Sequence, residues 1–113
     1  MKVTIWHNPR CSKSRQTLQL LNDRSIEPEI VDYQKSPPDA DEISRVLALL
    51  SCEASDVIRK GEKIYKELNL ANASEGELLA AMAKNPILIE RPIVEANGKA
   101  ALGRPPENVL AIL

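Results

Sequence analysis

The residues with the clearest potential for chemistry lie in one short segment centred on Cys11. Residue types before Cys11 predict a strand over residues 2–6, and apolar spacing after it predicts a helix over 12–23. Cys11 is therefore expected at the first turn of a helix, where unpaired backbone amides and the helix dipole favour a thiolate. Helix N-termini also accept oxyanions, so a small anionic substrate could bind beside the sulfur.

Three cations flank this cysteine, namely Arg10, Lys13 and Arg15. A cysteine at a helix start is often a small buried core residue. Positive charge within a few residues favours instead a solvated, reactive thiol. We therefore interpret Cys11 as a nucleophile.

Other residues of the same segment are candidates for supporting roles. His7 is a candidate for relaying a proton or hydrogen-bonding the thiolate, and a purely structural role in the loop is the alternative. Asn8 and Pro9 are expected to set the loop geometry. Ser14 completes a Cys-x-x-Ser motif, the spacing of a redox CxxC with its second thiol replaced, and joins Cys11 and His7 as a candidate catalytic residue. An intramolecular disulfide is excluded at this spacing, so a redox cycle requires an external thiol.

Three arginines farther along the chain stand beside residues that turn the chain or end a helix. They are Arg59, Arg91 and Arg104. The planar guanidinium suits tetrahedral oxyanions through paired hydrogen bonds. Arg91 and Arg104 lie on the outer flanks of a predicted hairpin, so strand pairing should bring them to the same end of the sheet. Pro92 is a candidate cis-proline that would fix the geometry of Arg91, and the sequence leaves its isomer open.

The elements that position these residues follow an α/β order. A second strand over 29–33 completes a right-handed βαβ unit with parallel strands. A helical insertion follows, and then a β-hairpin and a C-terminal helix ending at Leu113. The expected helices run from an N-cap at Asp39 to about residue 50 and over 55–58, 62–68 and 74–84, and the hairpin strands cover 93–96 and 99–102 around Asn97-Gly98. This order predicts a thioredoxin-like fold with a four-stranded mixed sheet and a site at the carboxyl end of strand 1.

Composition narrows the function further. A length of 113 residues predicts a single domain over 1–113, and a net charge of −1 argues against nucleic-acid binding. No signal peptide and no membrane-spanning run is evident, so the expected location is the cytoplasm, where thiols stay reduced. Cys11 and Cys52 are far apart and the chain has a single histidine, so no metal site is expected. Cys52 is interpreted as a packed, inert thiol.

Four blocks of the sequence resemble the glutaredoxin-coupled arsenate reductase family. The blocks are His7-Asn8-Pro9-x-Cys11-x-x-Ser14-Arg15, Arg59-Lys60-x-Glu62-x-x-Tyr65-x-x-Leu68-x-Leu70, Pro86-Ile87-Leu88-Ile89-x-Arg91-Pro92-Ile93-Val94 and Gly103-Arg104-Pro105-Pro106-Glu107. The resemblance implies a thioredoxin-like fold with Cys11 as nucleophile, kept ionised with help from His7. It further implies that Arg59, Arg91 and Arg104 bind the anion and that Pro92 is the cis-proline.

The function implied by this resemblance is reduction of arsenate to arsenite. The Cys11 thiolate would attack arsenate, glutathione would act as co-substrate with no bound cofactor, and glutaredoxin would complete the reduction. Because the sequence ends at Leu113 without a C-terminal extension, it resembles the short branch of the family.

Two other functions remain open on the same fold. One is a glutathione-linked monothiol oxidoreductase, which would not need an anion-binding set of arginines. The other is a redox-sensing regulator that binds a protein partner, and such proteins usually carry a second cysteine where Ser14 stands. A low-molecular-weight phosphatase is excluded because Thr17 occupies the position that its loop requires to be arginine.

Overall fold

A computed structural model of the protein describes residues 2–113, which form two compact units. One unit comprises the chain up to Ser36 together with Arg91–Leu113, and the other is Pro37–Glu90. The strands are β1 (Val3–Trp6), β2 (Glu29–Val31), β3 (Ile93–Ala96) and β4 (Lys99–Leu102). The α-helices are α1 (Ser12–Asp23), α2 (Ala40–Leu50), α3 (Ala54–Val57), α4 (Lys63–Glu67) and α5 (Glu75–Lys84), and 3₁₀ turns cover Leu70–Asn72, Pro86–Leu88 and Pro106–Ile112.

The four strands form one mixed sheet in the first unit. Their order is β2-β1-β3-β4, with β1 parallel to β2 and every other pairing antiparallel. Ile5, at the centre of β1, pairs with Ile30 on one side and Val94 on the other. This topology confirms the predicted βαβ unit and the predicted four-stranded mixed sheet.

The core of the first unit forms where β1, β3, α1 and the last 3₁₀ turn meet. Its buried members are Val3, Ile5, Leu21, Val94, Ala96, Val109 and Ile112. Apolar residues alternate along β1 and recur at helical spacing in α1, so each element turns one apolar face inward. The first turn of α1, which carries the candidate site, is therefore fixed by the packing of the helix behind it.

The predicted hairpin is confirmed residue for residue. Asn97 and Gly98 both have positive φ, 56° and 72°, as a two-residue turn that matches the strand twist requires. The pairing runs from Ala96 opposite Lys99 to Ile93 opposite Leu102. Residues just outside the hairpin therefore lie together at its open end.

Two helices of the second unit, α2 and α5, begin at the predicted caps. The Asp39 carboxylate accepts the Glu42 N–H at 2.8 Å at the start of α2. Ser74 and Glu77 form a reciprocal capping box at the start of α5. These two helix starts were predicted correctly because they rested on local hydrogen-bonding chemistry, whereas α3 (Ala54–Val57) and α4 (Lys63–Glu67) differ from the expected ranges 55–58 and 62–68.

Several boundaries differ from the sequence expectation. Strand β2 ends at Val31 because the Asp32 carbonyl accepts the N–H groups of Lys35 and Ser36 and turns the chain. The C-terminal helix is a 3₁₀ turn, Pro106–Ile112, with i to i+3 bonds such as Asn108 N–H to Pro105 C=O. The short turn Leu70–Asn72 was not predicted.

Within residues 2–113, no helix combines the length and the apolar character that crossing a bilayer requires.

Candidate active site

The loop between β1 and α1 is built around Asn8. The His7 N–H donates to the Val31 carbonyl at 2.9 Å and prolongs the pairing of β1 with β2. The Asn8 side-chain oxygen then accepts the Arg10 N–H, and its carbonyl accepts the Cys11 N–H, both at 3.0 Å. Asn8 is only 7% exposed. The structure therefore places this residue where the sequence predicted, holding the turn that delivers the cysteine.

Cys11 is the N-cap residue of α1 and is part-exposed, as predicted. Its carbonyl accepts the first intrahelical bond, from the Arg15 N–H at 3.0 Å. Burial raises the pKa of the Cys11 thiol, but the Ser14 amide, the Arg91 guanidinium and the Lys13 amide together outweigh it. The net result is a pKa below the ordinary value, because backbone donors and a cation stabilise the thiolate.

Two arginines from the ends of the hairpin meet at this sulfur. Arg104 donates through Nη2 to Cys11 Sγ at 3.5 Å and through Nε to the Arg91 carbonyl at 2.7 Å. The Arg91 side chain also hydrogen-bonds the sulfur. The convergence predicted from strand pairing is therefore observed, with two guanidinium groups beside one thiol.

The proline at the start of β3 is in the cis form. The Arg91–Pro92 peptide bond is cis, which answers the question that the sequence left open. The Arg104–Pro105 bond is also cis, which was not predicted. Each arginine that reaches the sulfur thus directly precedes a cis-proline.

A buried polar network lies behind the cysteine. Ser14 Oγ is fully buried, accepts the Asn8 N–H at 3.0 Å and lies 2.7 Å from His7 Nδ1. Burial lowers the pKa of His7, the nearby Asp32 carboxylate raises it, and the Arg15 charge lowers it. The net result is a pKa below the ordinary value of a histidine. We assign the neutral ring with the Ser14 hydroxyl donating to Nδ1, which places the ring proton on Nε2. His7 therefore contacts Ser14, and through it the first turn of α1.

The cations next to Cys11 in sequence contribute differently from what was predicted. The Arg15 guanidinium donates to the Pro9 carbonyl at 2.9 Å and so ties down the loop. Arg10 is exposed, and Lys13 acts on the sulfur through its backbone N–H. The guanidinium groups that contact the thiol come from the distant hairpin instead, because the fold brings that part of the chain to the helix start.

Arg59 belongs to the second unit, where two carboxylates hold it. Its Nε donates to Glu62 Oε2 at 3.1 Å and its Nη1 to Glu90 Oε1 at 2.7 Å. Burial lowers the pKa of Arg59, but the two carboxylates raise it by more, so its charge is secure. Neither partner was predicted from the sequence. The i+3 spacing of Glu62 could have predicted its ion pair with Arg59. Nothing in the sequence indicates the ion pair with Glu90, which is 31 residues away.

The second cysteine also lies in the second unit. Cys52 is part-exposed, and its thiol donates to the Leu50 carbonyl at 3.5 Å. The expectation of a packed thiol is thus met only in part. Among residues 2–113, no group of three His, Cys, Asp or Glu side chains could hold a metal ion.

These features define the class of the protein. A mixed four-stranded sheet, with a helix that begins at the carboxyl end of its first strand and carries a cysteine there, is a thioredoxin-like fold. The ArsC family pattern matches residues 6–112. The chain therefore belongs to the ArsC family.

Individual relatives agree with this assignment. The chain is 53% identical to "Uncharacterized protein YfgD" of Escherichia coli strain K12 over 115 residues, which cover 99% of this chain and 97% of that protein. It is 48% identical to an arsenate reductase of Neisseria meningitidis over 115 residues, covering 99% of this chain and 98% of that protein. The solved structure of an arsenate reductase from Vibrio cholerae superposes with a TM-score of 0.97 at 49% identity, covering 100% of this chain and 98% of that one.

Proposed function

We propose that this protein reduces arsenate to arsenite at Cys11, with glutathione and glutaredoxin as electron donors. The observation that carries the proposal is the Cys11 sulfur at a helix start, contacted by the guanidinium groups of Arg91 and Arg104. Relatives from Neisseria meningitidis and Vibrio cholerae that bear the name arsenate reductase support the choice of oxyanion. Disulfide exchange alone would not need paired arginines at the thiol.

The first step forms a bond between sulfur and arsenic. The Cys11 thiolate attacks the arsenic atom of arsenate, and one arsenic–oxygen bond breaks as the oxygen leaves as water after taking up protons. Arg91 and Arg104 bind the remaining oxygens and offset the repulsion between an anionic sulfur and an anionic substrate. The lowered pKa of Cys11 increases the fraction of this thiol that is present as the nucleophilic thiolate.

The second step transfers two electrons to arsenic from external thiols. Glutathione attacks the arsenic atom of the cysteine–arsenate adduct and displaces one oxygen as water. The glutaredoxin thiol then attacks the glutathione sulfur to form a disulfide, and the electron pair of the broken sulfur–arsenic bond stays on arsenic. Water finally displaces Cys11 from arsenic. Arsenic(V) becomes arsenic(III), arsenite leaves and Cys11 returns as a thiol. One arsenate and two thiols thus give one arsenite, one disulfide and one water. Ser14 occupies the resolving position and cannot form a disulfide, so the electrons come from outside.

Arg59 is proposed as a third anion-binding residue from its match to the family motif. Its guanidinium already bonds to Glu62 and Glu90, which offset its charge. Replacing Arg59 with alanine tests whether this residue binds arsenate. A raised KM for arsenate with an unchanged kcat supports substrate binding, and an unchanged KM contradicts it.

The proposed activity is tested by arsenate-dependent NADPH oxidation in the presence of glutathione, glutaredoxin and glutathione reductase. The wild-type protein should support turnover, and Cys11→Ser should abolish it. Cys52→Ser is the matched control, because it removes the other thiol, and it should retain full activity.

The same variants separate the alternative functions. Wild-type turnover no faster than that of Cys11→Ser would contradict arsenate reduction. Glutathione-dependent reduction of a small disulfide through Cys11, without arsenate reduction, would indicate a monothiol oxidoreductase. Reversible oxidation of Cys11 with no turnover of either substrate would favour a redox-sensing regulator.

A further inference from the structure

Among the glycines of this protein, Gly103 is the one that neighbouring atoms crowd most closely. A Cβ atom placed there would lie 2.5 Å from Thr17 Oγ1 and 2.7 Å from Pro92 Cγ, whereas real Cβ contacts essentially never fall below 3.0 Å. Gly103 is buried, and its φ lies outside the left-handed region. The lack of space for a side chain, and not the backbone conformation, therefore requires glycine at this position.

Neither neighbour can move aside easily. Thr17 is fully buried, its β-branched side chain is stiff, and its hydroxyl donates to the Lys13 carbonyl at 2.8 Å. Pro92 is a buried closed ring, and its carbonyl accepts the Gly103 N–H at 2.9 Å. A side chain at Gly103 would therefore displace backbone.

The three crowded residues belong to the segments that supply the partners of the cysteine. Thr17 lies on α1, the helix that begins at Cys11. Pro92 directly follows Arg91, and Gly103 directly precedes Arg104. A displacement at Gly103 is therefore transmitted to both arginines and to the helix start.

We propose that Gly103 is a positioning residue for the chemistry at Cys11. Its missing side chain lets the end of the hairpin approach α1 closely enough for Arg104 to reach both Cys11 Sγ and the Arg91 carbonyl. The effect on arsenate kinetics rests on the proposed function. The effect on the thiol itself does not.

The test is Gly103→Ala, assayed for arsenate kinetics and for the pH profile of Cys11 alkylation in a Cys52→Ser background. Restoring 3.0 Å from 2.5 Å requires the atoms to separate by about 0.5 Å. Misplacement on this scale should lower kcat/KM for arsenate on the order of tenfold, mainly through KM. The alkylation midpoint should rise towards that of an ordinary thiol, because the guanidinium groups retreat from the sulfur.

Gly76→Ala is the matched control, since nothing lies within 4 Å of a Cβ at that position. It should leave both readouts unchanged. Thr17→Ala supplies the second test because it removes both threonine atoms that crowd Gly103. The double variant Gly103→Ala/Thr17→Ala should recover part of what Gly103→Ala loses, measured against Thr17→Ala alone.

The proposal is overturned if folded Gly103→Ala keeps the wild-type KM and alkylation midpoint, or if the double variant recovers nothing. If Gly103→Ala does not fold, the comparison of Thr17→Ala with the double variant decides the question. If the wild-type protein does not reduce arsenate, the alkylation profile still tests Gly103. Failure of the proposed function is thus distinguishable from failure of this inference.

Discussion

At the Cys11 sulfur, burial and hydrogen bonding act in opposite directions. Burial disfavours the charged form, whereas two backbone amides and the Arg91 guanidinium favour it and prevail. The helix start and the approach of the hairpin arginines were both predicted correctly, whereas no side chain of the neighbours Arg10, Lys13 and Arg15 is among the groups that lower the pKa of the thiol. Sequence neighbours of a thiol can point away from it, whereas residues across the sheet can reach it.

Replacing Arg91 should make Cys11 a weaker acid. In a Cys52→Ser background, where Cys11 is the sole cysteine, the rate of iodoacetamide alkylation against pH should show a midpoint below that of an ordinary thiol. Arg91→Ala should move this midpoint upward, because it removes a hydrogen bond and a positive charge from the thiolate. Arsenate binding should weaken in the same variant. An unchanged midpoint would count against the role of Arg91.

His7 should make the folded protein sensitive to mild acid. Because burial depresses the pKa of His7 in the folded state below 6.5, the unfolded chain binds more protons in this range. The contribution of His7 to stability is therefore complete above pH 6.5 and is lost as the pH falls from there through the folded-state pKa. Urea unfolding of the wild type and of His7→Gln, between about pH 8 and pH 5, measures this term by difference. A stability difference that does not vary with pH would refute it.

The stability of helix α5 in the second unit depends on its N-cap residue, Ser74. Ser74→Ala removes the hydroxyl that accepts the Glu77 N–H and should lower the free energy of unfolding by about 1 kcal/mol. Ser44→Ala in α2 is the matched control, because Ser44 is exposed in a helix interior. It should be neutral or slightly stabilising, since alanine has the higher helix propensity. Urea unfolding measures the stability of both variants. Equal losses in the free energy of unfolding would show that the N-cap hydrogen bond contributes nothing specific.

For the whole molecule, we propose that residues 1–113 unfold as one domain. Trp6, the only tryptophan, reports on the first unit, whereas far-UV circular dichroism also reports on helices α2 and α5 of the second unit. Cooperative unfolding of a single domain should give coincident urea transitions by the two probes. Separate midpoints would show instead that the two units unfold independently.

Elements whose signals lie within a few residues could be predicted from the sequence. The bounds of α1 and of both hairpin strands were predicted to the residue, because apolar spacing, the Asn97-Gly98 turn and the capping residues act within a few positions. The position of Cys11 at a helix start followed from the same local signals. The early end of β2 and the 3₁₀ form of the last turn were missed, although the hydrogen bonds that set them are equally short in range.

The contacts between side chains of the candidate site depend on the three-dimensional fold. The hydrogen bond from Arg104 to Cys11 joins residues 93 positions apart, and the pairing of Arg59 with Glu90 spans 31. The close approach at Gly103 likewise depends on how helix and hairpin pack, and the hydrogen bond between His7 and Ser14 depends on how the loop after β1 folds against α1. Such contacts are set by strand register and packing distance, and neither leaves a periodic signal in the sequence. The sequence thus indicated which groups were available, and the fold determined which of them meet.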